Sequence, residues 1–191
     1  MLRTLQSATF SIMLLGAALE ASQTKPAPAV NANAAILKEF SRRVDAYVEV
    51  HKKAEGTLPN LPKQTNPQEI DKHQRALALL IQDARKHAKP GDIFTPAMQR
   101  LVRNLLRPIF SGKDGAQIKA EILDNEYKGN VKLAVNGRYP DEVPISTVPP
   151  QVLAQLPRLP EELEYRFIQT SLILFDPHSH TIADYVVDAF K

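Results

Sequence analysis

Two histidines one residue apart, His178 and His180, lie between Asp176 and Asp184 near the end of a 191-residue chain. In extended backbone, residues two apart point to the same side. Both imidazoles, with Asp176 and Asp184 within reach, therefore make a candidate metal set of the kind that suits Zn²⁺. The competing reading is a turn over Asp176-Pro177-His178-Ser179-His180, where polar residues gather without any ligand. No helix carries a His-x-x-x-His pair.

His51 and His73 offer different chemistry. Each falls on the apolar side of a predicted helix. If they meet in a cleft, they supply acid–base groups that titrate near neutral pH. If they do not, each finishes the edge of the core with one nitrogen hydrogen-bonded. His73 is the better catalytic candidate, because Gln74 and Arg75 adjoin it. Arg100, Arg103 and Arg107 fall within about 60° of one another on a third helix. Such a ladder can grip carboxylates or phosphates, form a solvated face, or dock the acidic half of the chain. Ser146 and Thr147 lack a Gly-x-Ser-x-Gly elbow, and a helix cap is the expected role. With 7 glycines in all, there is no phosphate-cradling loop. No cofactor is implied.

The elements that must position these residues are well punctuated. Ala34 to Ala54 is predicted helical: Ile36, Leu37, Phe40, Val44, Tyr47, Val48 and His51 fall in an arc of about 120°. Leu58-Pro59-Asn60-Leu61-Pro62 blocks helix and favours an extended path. Asn66 caps a second helix with Pro67 at its first position, and its face is expected to be Ile70, His73, Leu77, Leu80, Ile81 and Ala84. Thr95-Pro96 opens a third helix, predicted to end or kink near Arg107 because Pro108 follows. A short fourth spans Asp114 to Leu123.

After Asn125 the texture changes. Val131 to Val135 reads as a strand, followed by a tight turn at Asn136-Gly137. Leu156-Pro157-Arg158-Leu159-Pro160 repeats the earlier Leu-Pro pattern, and both copies are expected to pack on one core. Leu163 to Phe167, Leu172 to Phe175 and Ile182 to Val187 read as a three-stranded antiparallel meander. A bare meander does not fold alone, so helices should cover one face. The fold class is therefore α+β, with helices in 34–125 packed on a strand-rich part in 126–191.

The net charge is +3, split unevenly: residues 22–115 carry 16 basic and 9 acidic side chains, residues 116–191 carry 7 and 11. The basic half is suited to an anionic surface or ligand, or to its own acidic partner half. There is no Trp and no interleaving of basic and aromatic residues, which argues against nucleic acid.

The N-terminus reads as a cleavable export signal over residues 1–21: Arg3, an apolar run from Ala8 to Leu19, then small residues around Ala21. That run is shorter than the roughly 20 residues of a membrane span. Leu19 is an imperfect fit three residues before the expected cleavage point. Without cysteine, lipid attachment there is excluded and no disulfide can form. Residues 22–33 read as a Pro/Ala linker.

Five segments carry a resemblance: His73-Gln74-Arg75-Ala76-Leu77-Ala78, Gly91-Asp92-Ile93-Phe94-Thr95-Pro96, Val135-Asn136-Gly137-Arg138-Tyr139-Pro140, residues 159–167, and Ile182-Ala183-Asp184-Tyr185. Together they resemble uncharacterised exported bacterial proteins over roughly residues 30–190. The resemblance implies a periplasmic or secreted location and transfers no functional residue. The sequence thus points to a non-enzymatic binding or accessory protein of the envelope, with a small hydrolase or metal-dependent enzyme as the alternative.

Overall fold

The computed structural model describes residues 32–62, 64–123 and 131–191. The predicted signal and nearly all of the predicted linker lie outside them. The fold is α+β. Four helices come first: α1 (Ala32–Glu55), α2 (Pro67–Ala84), α3 (Pro96–Ser111) and α4 (Gly115–Leu123). A single turn, α5 (Pro150–Leu153), precedes strands β1 (Glu164–Ile168), β2 (Ser171–Asp176) and β3 (Thr181–Val186). The strands form an antiparallel sheet in the order β1-β2-β3.

The helix starts follow from local chemistry. The Asn66 side chain accepts the Glu69 amide at 2.9 Å and Glu69 reaches back to the Asn66 amide, a reciprocal capping box worth about 1 kcal/mol. Thr95 caps α3 one way only, its hydroxyl accepting the Met98 amide at 3.3 Å. Pro108 does not end α3, which continues to Ser111. An internal proline costs a helix about 3 kcal/mol. Beyond it, Phe110 is buried and stacked on Phe190 at 4.3 Å, and anchoring of this kind offsets the cost.

The central strand is buried on both sides. Leu172 and Leu174 join the larger core with Phe40, Leu77, Val102 and Leu106 of the helices. Ile173 and Phe175 face a second cluster with Tyr139 and Val143. That second layer corrects the expected strand at 131–135, which has no ladder partner. Val131 and Leu133 are used as a pad against the sheet. The turn at Asn136 does form, with φ at 59°, and 136–139 runs beside β3. Asn136 donates to Ile182 at 2.8 Å, Ile182 to Gly137 at 2.9 Å, and Tyr139 to His180 at 2.9 Å.

Two further expectations need correction. The buried face of α2 is Leu77, Ala78 and Ile81, with Ile70 and Leu80 exposed. In the Leu-Pro segments, Leu58, Leu156 and Leu159 pack on the core but Leu61 is exposed.

A β-bulge sets the positions that matter most. Leu174 pairs with Asp184 and Phe175 with Ile182, leaving Ala183 as the extra residue. Two consecutive residues thereby meet the helical layer. Ala183 enters the larger core. The Asp184 carboxylate takes the amides of Gly91, Ile93 and Phe94 in the α2–α3 loop at 3.0, 2.7 and 2.8 Å, and that of Tyr185 at 2.8 Å. Burial raises the Asp184 pKa above its ordinary value, against the pull of these four amides.

Candidate metal centre

Tyr47, His51 and Glu55 recur every four residues in the last turns of α1 and so share one face. That face meets the turn between β2 and β3. Asp176, fully buried at the end of β2, joins the two. Its Oδ2 accepts the Tyr47 hydroxyl at 2.7 Å and lies 2.7 Å from His51 Nδ1. Its Oδ1 accepts the amides of His178 and Ser179 at 2.9 and 3.0 Å, which closes the turn.

This arrangement dictates the state of His51. With Nδ1 held by a carboxylate, one proton belongs there, and Nε2 carries the lone pair whenever the ring is neutral. Nε2 is buried and has no hydrogen-bond partner; the nearest carboxylate oxygen, Glu55 Oε2, is 3.4 Å away. An interior polar atom with no well-formed hydrogen bond costs up to about 1–3 kcal/mol, and here only the Glu55 carboxylate offsets that cost. The His178 ring meets that of His51 edge-on at 5.2 Å, and His178 Nδ1 lies 3.2 Å from Glu55 Oε1. One ligand atom from each of His51, Glu55 and His178 lies within 4.8 Å of the others. Tetrahedral zinc with bonds of about 2.05 Å places its ligands about 3.4 Å apart, a contraction that small side-chain rotations can supply. Asp176 behind His51 completes the carboxylate–histidine arrangement found behind metal-ligating imidazoles.

The electrostatics agree. Burial lowers the His51 pKa, but the hydrogen bond and charge of Asp176, with Glu55, prevail and hold it above the ordinary imidazole value. Burial raises Asp176, but His51, Tyr47 and the Ser179 amide prevail and hold it below the ordinary carboxylate value. Burial and the Asp176 charge keep the Tyr47 hydroxyl protonated as a donor. Glu162 adds a further negative charge: Oε1 pairs with Lys52 at 2.9 Å, and the buried Oε2 has no partner.

The predicted site residues are therefore redistributed. His51, His178 and Asp176 come together, with Glu55, which the sequence reading did not select. Its signal was present as His51-x-x-x-Glu55, one helical turn apart on α1. His73 is half-buried and lines a hollow of about 350 Å³ with Lys52, Glu55, Gly56, Asn60 and Leu61; Glu55 belongs both to this hollow and to the candidate cluster. His180 is separated from His178, which corrects the expected pair. Asp176 curls the turn, and His180 itself has φ at 55°, so the chain is not extended there. The His180 ring packs edge-on against Tyr139 and Phe175, at 5.7 and 5.3 Å. Burial, with Arg138, lowers its pKa. Asp184 is committed to its four amides and is not part of the cluster.

The arginine ladder is partly engaged within the fold. Arg103 donates to the carbonyls of Val187 and Asp188 at 2.8 and 3.3 Å. Arg107 reaches Asn104 at 3.2 Å, and Arg100 is exposed. Arg103→Gln is expected to lower stability by about 0.5–1 kcal/mol in denaturant unfolding, while Arg100→Gln stays within about 0.5 kcal/mol of the parent. Ser146 is not a helix cap: its hydroxyl donates to the Phe167 carbonyl at 2.8 Å and accepts the Phe167 amide at 3.2 Å. Comparison with known protein families, with curated proteins and with solved structures finds no match.

Proposed function

We propose that this chain is an exported bacterial envelope protein that binds a divalent transition metal, zinc by chemistry, through His51, Glu55 and His178. The observation that carries the reading is the convergence of the buried His51 Nε2, which makes no well-formed hydrogen bond, with the Glu55 carboxylate and the His178 ring, backed by Asp176. Two imidazoles and one carboxylate leave a coordination position for water. The export assignment is supported by the signal-like character of residues 1–21 and by the resemblance over residues 30–190. No helix among the described residues is long and apolar enough to cross a membrane.

Zinc titration with a chromophoric competitor tests the site. The expected dissociation constant is on the order of 1 µM or tighter. His178→Ala is expected to weaken binding at least about 10-fold with little change in stability, because His178 is largely exposed. His180→Ala should bind as the parent does. Equal zinc affinity in the parent and His178→Ala would remove the reading. Protons compete for His51, whose pKa is held up, so affinity should climb as pH rises through neutrality and level off once His51 is neutral. N-terminal sequencing of the exported protein tests the location, with Ser22 expected as the first residue.

A second reading, a metal-dependent hydrolase, is favoured by the hollow that Glu55 and His73 share. Zinc-dependent turnover of an activated ester, lost in His178→Ala, would establish it over simple binding.

A further inference from the structure

A second hollow, of about 500 Å³, lies between α1 and the loop that follows α2. Three guanidinium groups line it, from Arg42, Arg43 and Arg85, against one carboxylate, Asp92. The Arg85 group is the most informative of these. Its carbon sits over the Tyr47 ring, 4.8 Å from the centroid. One nitrogen, Nη1, donates to the Asn136 side chain and to the Ala183 carbonyl. Among the described residues Arg85 forms no ion pair, and its Nε and Nη2 donate to no protein atom. Burial lowers its pKa. Asp184 and Asp92 pull the other way, but neither forms an ion pair with this half-buried guanidinium, whose free edge can take an anion. Arg42 and Arg43 are tied to Glu39, and Arg43 also reaches the Asp92 carbonyl, so the rim is fixed in place. Apart from His87, the remaining wall is apolar, with Ala46, Val50, Ala84 and Ala88.

We propose that this hollow binds a small organic anion, with a carboxylate or phosphate-monoester head at the free edge of Arg85 and a short apolar body against the alanine and valine wall. A planar guanidinium edge accepts either head through paired hydrogen bonds. The volume falls in the range of small-molecule sites. Only Tyr47 is shared with the metal centre, and it offers its ring here and its hydroxyl there.

Calorimetric titration of the whole protein with hexanoate, hexyl phosphate, hexanol and inorganic phosphate tests this. Saturable binding of hexanoate or hexyl phosphate is expected with a dissociation constant on the order of 0.1–1 mM; the tighter of the two identifies the head. Hexanol and inorganic phosphate should each bind at least about 10-fold more weakly. Ala46→Phe fills the hollow without touching any Arg85 hydrogen bond and should abolish binding. Arg85→Lys, which keeps the charge and loses the fork, should weaken it about 10-fold. His178→Ala should leave it unchanged. Three results overturn the proposal: no saturation by either head-bearing probe up to about 10 mM, unchanged affinity in folded Ala46→Phe, or hexanol or inorganic phosphate binding as tightly as hexanoate.

Discussion

Asp184→Ala is expected to lower stability by about 3–5 kcal/mol, the largest single effect in the molecule. Four buried or half-buried amides, from Gly91, Ile93, Phe94 and Tyr185, converge on this one carboxylate. Each orphaned amide costs about 1–3 kcal/mol. Relief of the buried charge and entry of water return part of that. The amides of Gly91, Ile93 and Phe94 also define the approach to α3, and Gly91 takes φ at 91° to present its own. The α2–α3 loop should therefore lose its seat on β3. In a thermal melt the midpoint should fall by about 10–15 °C; a fall of less than about 3 °C would show that the loop holds itself. Hydrogen exchange should quicken first at Ile93 and Phe94.

Asp176→Asn is expected to damage the metal centre and the fold together. Each oxygen of Asp176 accepts from two donors: Tyr47 and His51 on one side, the amides of His178 and Ser179 on the other. A side-chain amide has only one oxygen; if that keeps the two backbone amides, its NH₂ meets Tyr47 and His51, which can accept only if the hydroxyl turns and the imidazole moves its proton to Nε2, the ligand atom. A stability loss of about 2–4 kcal/mol follows. Zinc affinity should fall about 10–100-fold, the usual consequence of losing the carboxylate behind a ligating imidazole.

The pH dependence separates this pair from simple packing. His51 is raised in the fold, so its contribution is full below the unfolded value of about 6.5 and is lost as pH rises through the folded value. Asp176 is lowered, so its contribution is present above about 3.9 and is lost as pH falls through the folded value. The metal-free protein should thus be most stable between those limits. Its melting midpoint should decline from about pH 6.5 upward, and zinc should restore it, since the metal takes the place of the lost proton on Nε2. In Asp176→Asn both slopes should flatten. A parent protein with no decline above neutrality would show that His51 carries no raised affinity for the proton.

Elements whose ends are fixed by neighbouring residues were legible in the sequence. Asn66-Pro67 and Thr95-Pro96 mark helix starts through bonds made within four residues, and the three strands carry apolar runs between polar turns. The α+β class followed from these. What was not legible depends on distant partners. Val131 and Leu133 alternate as a strand does, yet they lie flat on a sheet face instead of extending its ladder, and alternation serves either use. Pro108 forbids a helix locally, and only Phe190, eighty residues on, says why the helix continues. The site failed in the same way. The metal set His178, His180 and Asp176 assumed extended backbone, whereas Asp176 spends its oxygens curling that turn. The partner of His178 is Glu55, more than a hundred residues earlier, and Glu55 reads alone as an ordinary helix-end acid.

The strip formed by residues 136–139 along β3 has a consequence for how the molecule meets its own copies. Sheets with a bare outer strand recruit further strands, and that is the usual route to fibres. Here Ile182 and His180 already spend their outward backbone groups on Asn136, Gly137 and Tyr139, and on the opposite border Ser146 occupies both backbone groups of Phe167. Each border is thus covered over part of its length by irregular chain. A three-stranded sheet with no disulfide to hold it is shielded, at those positions, from strand-by-strand growth by its loops.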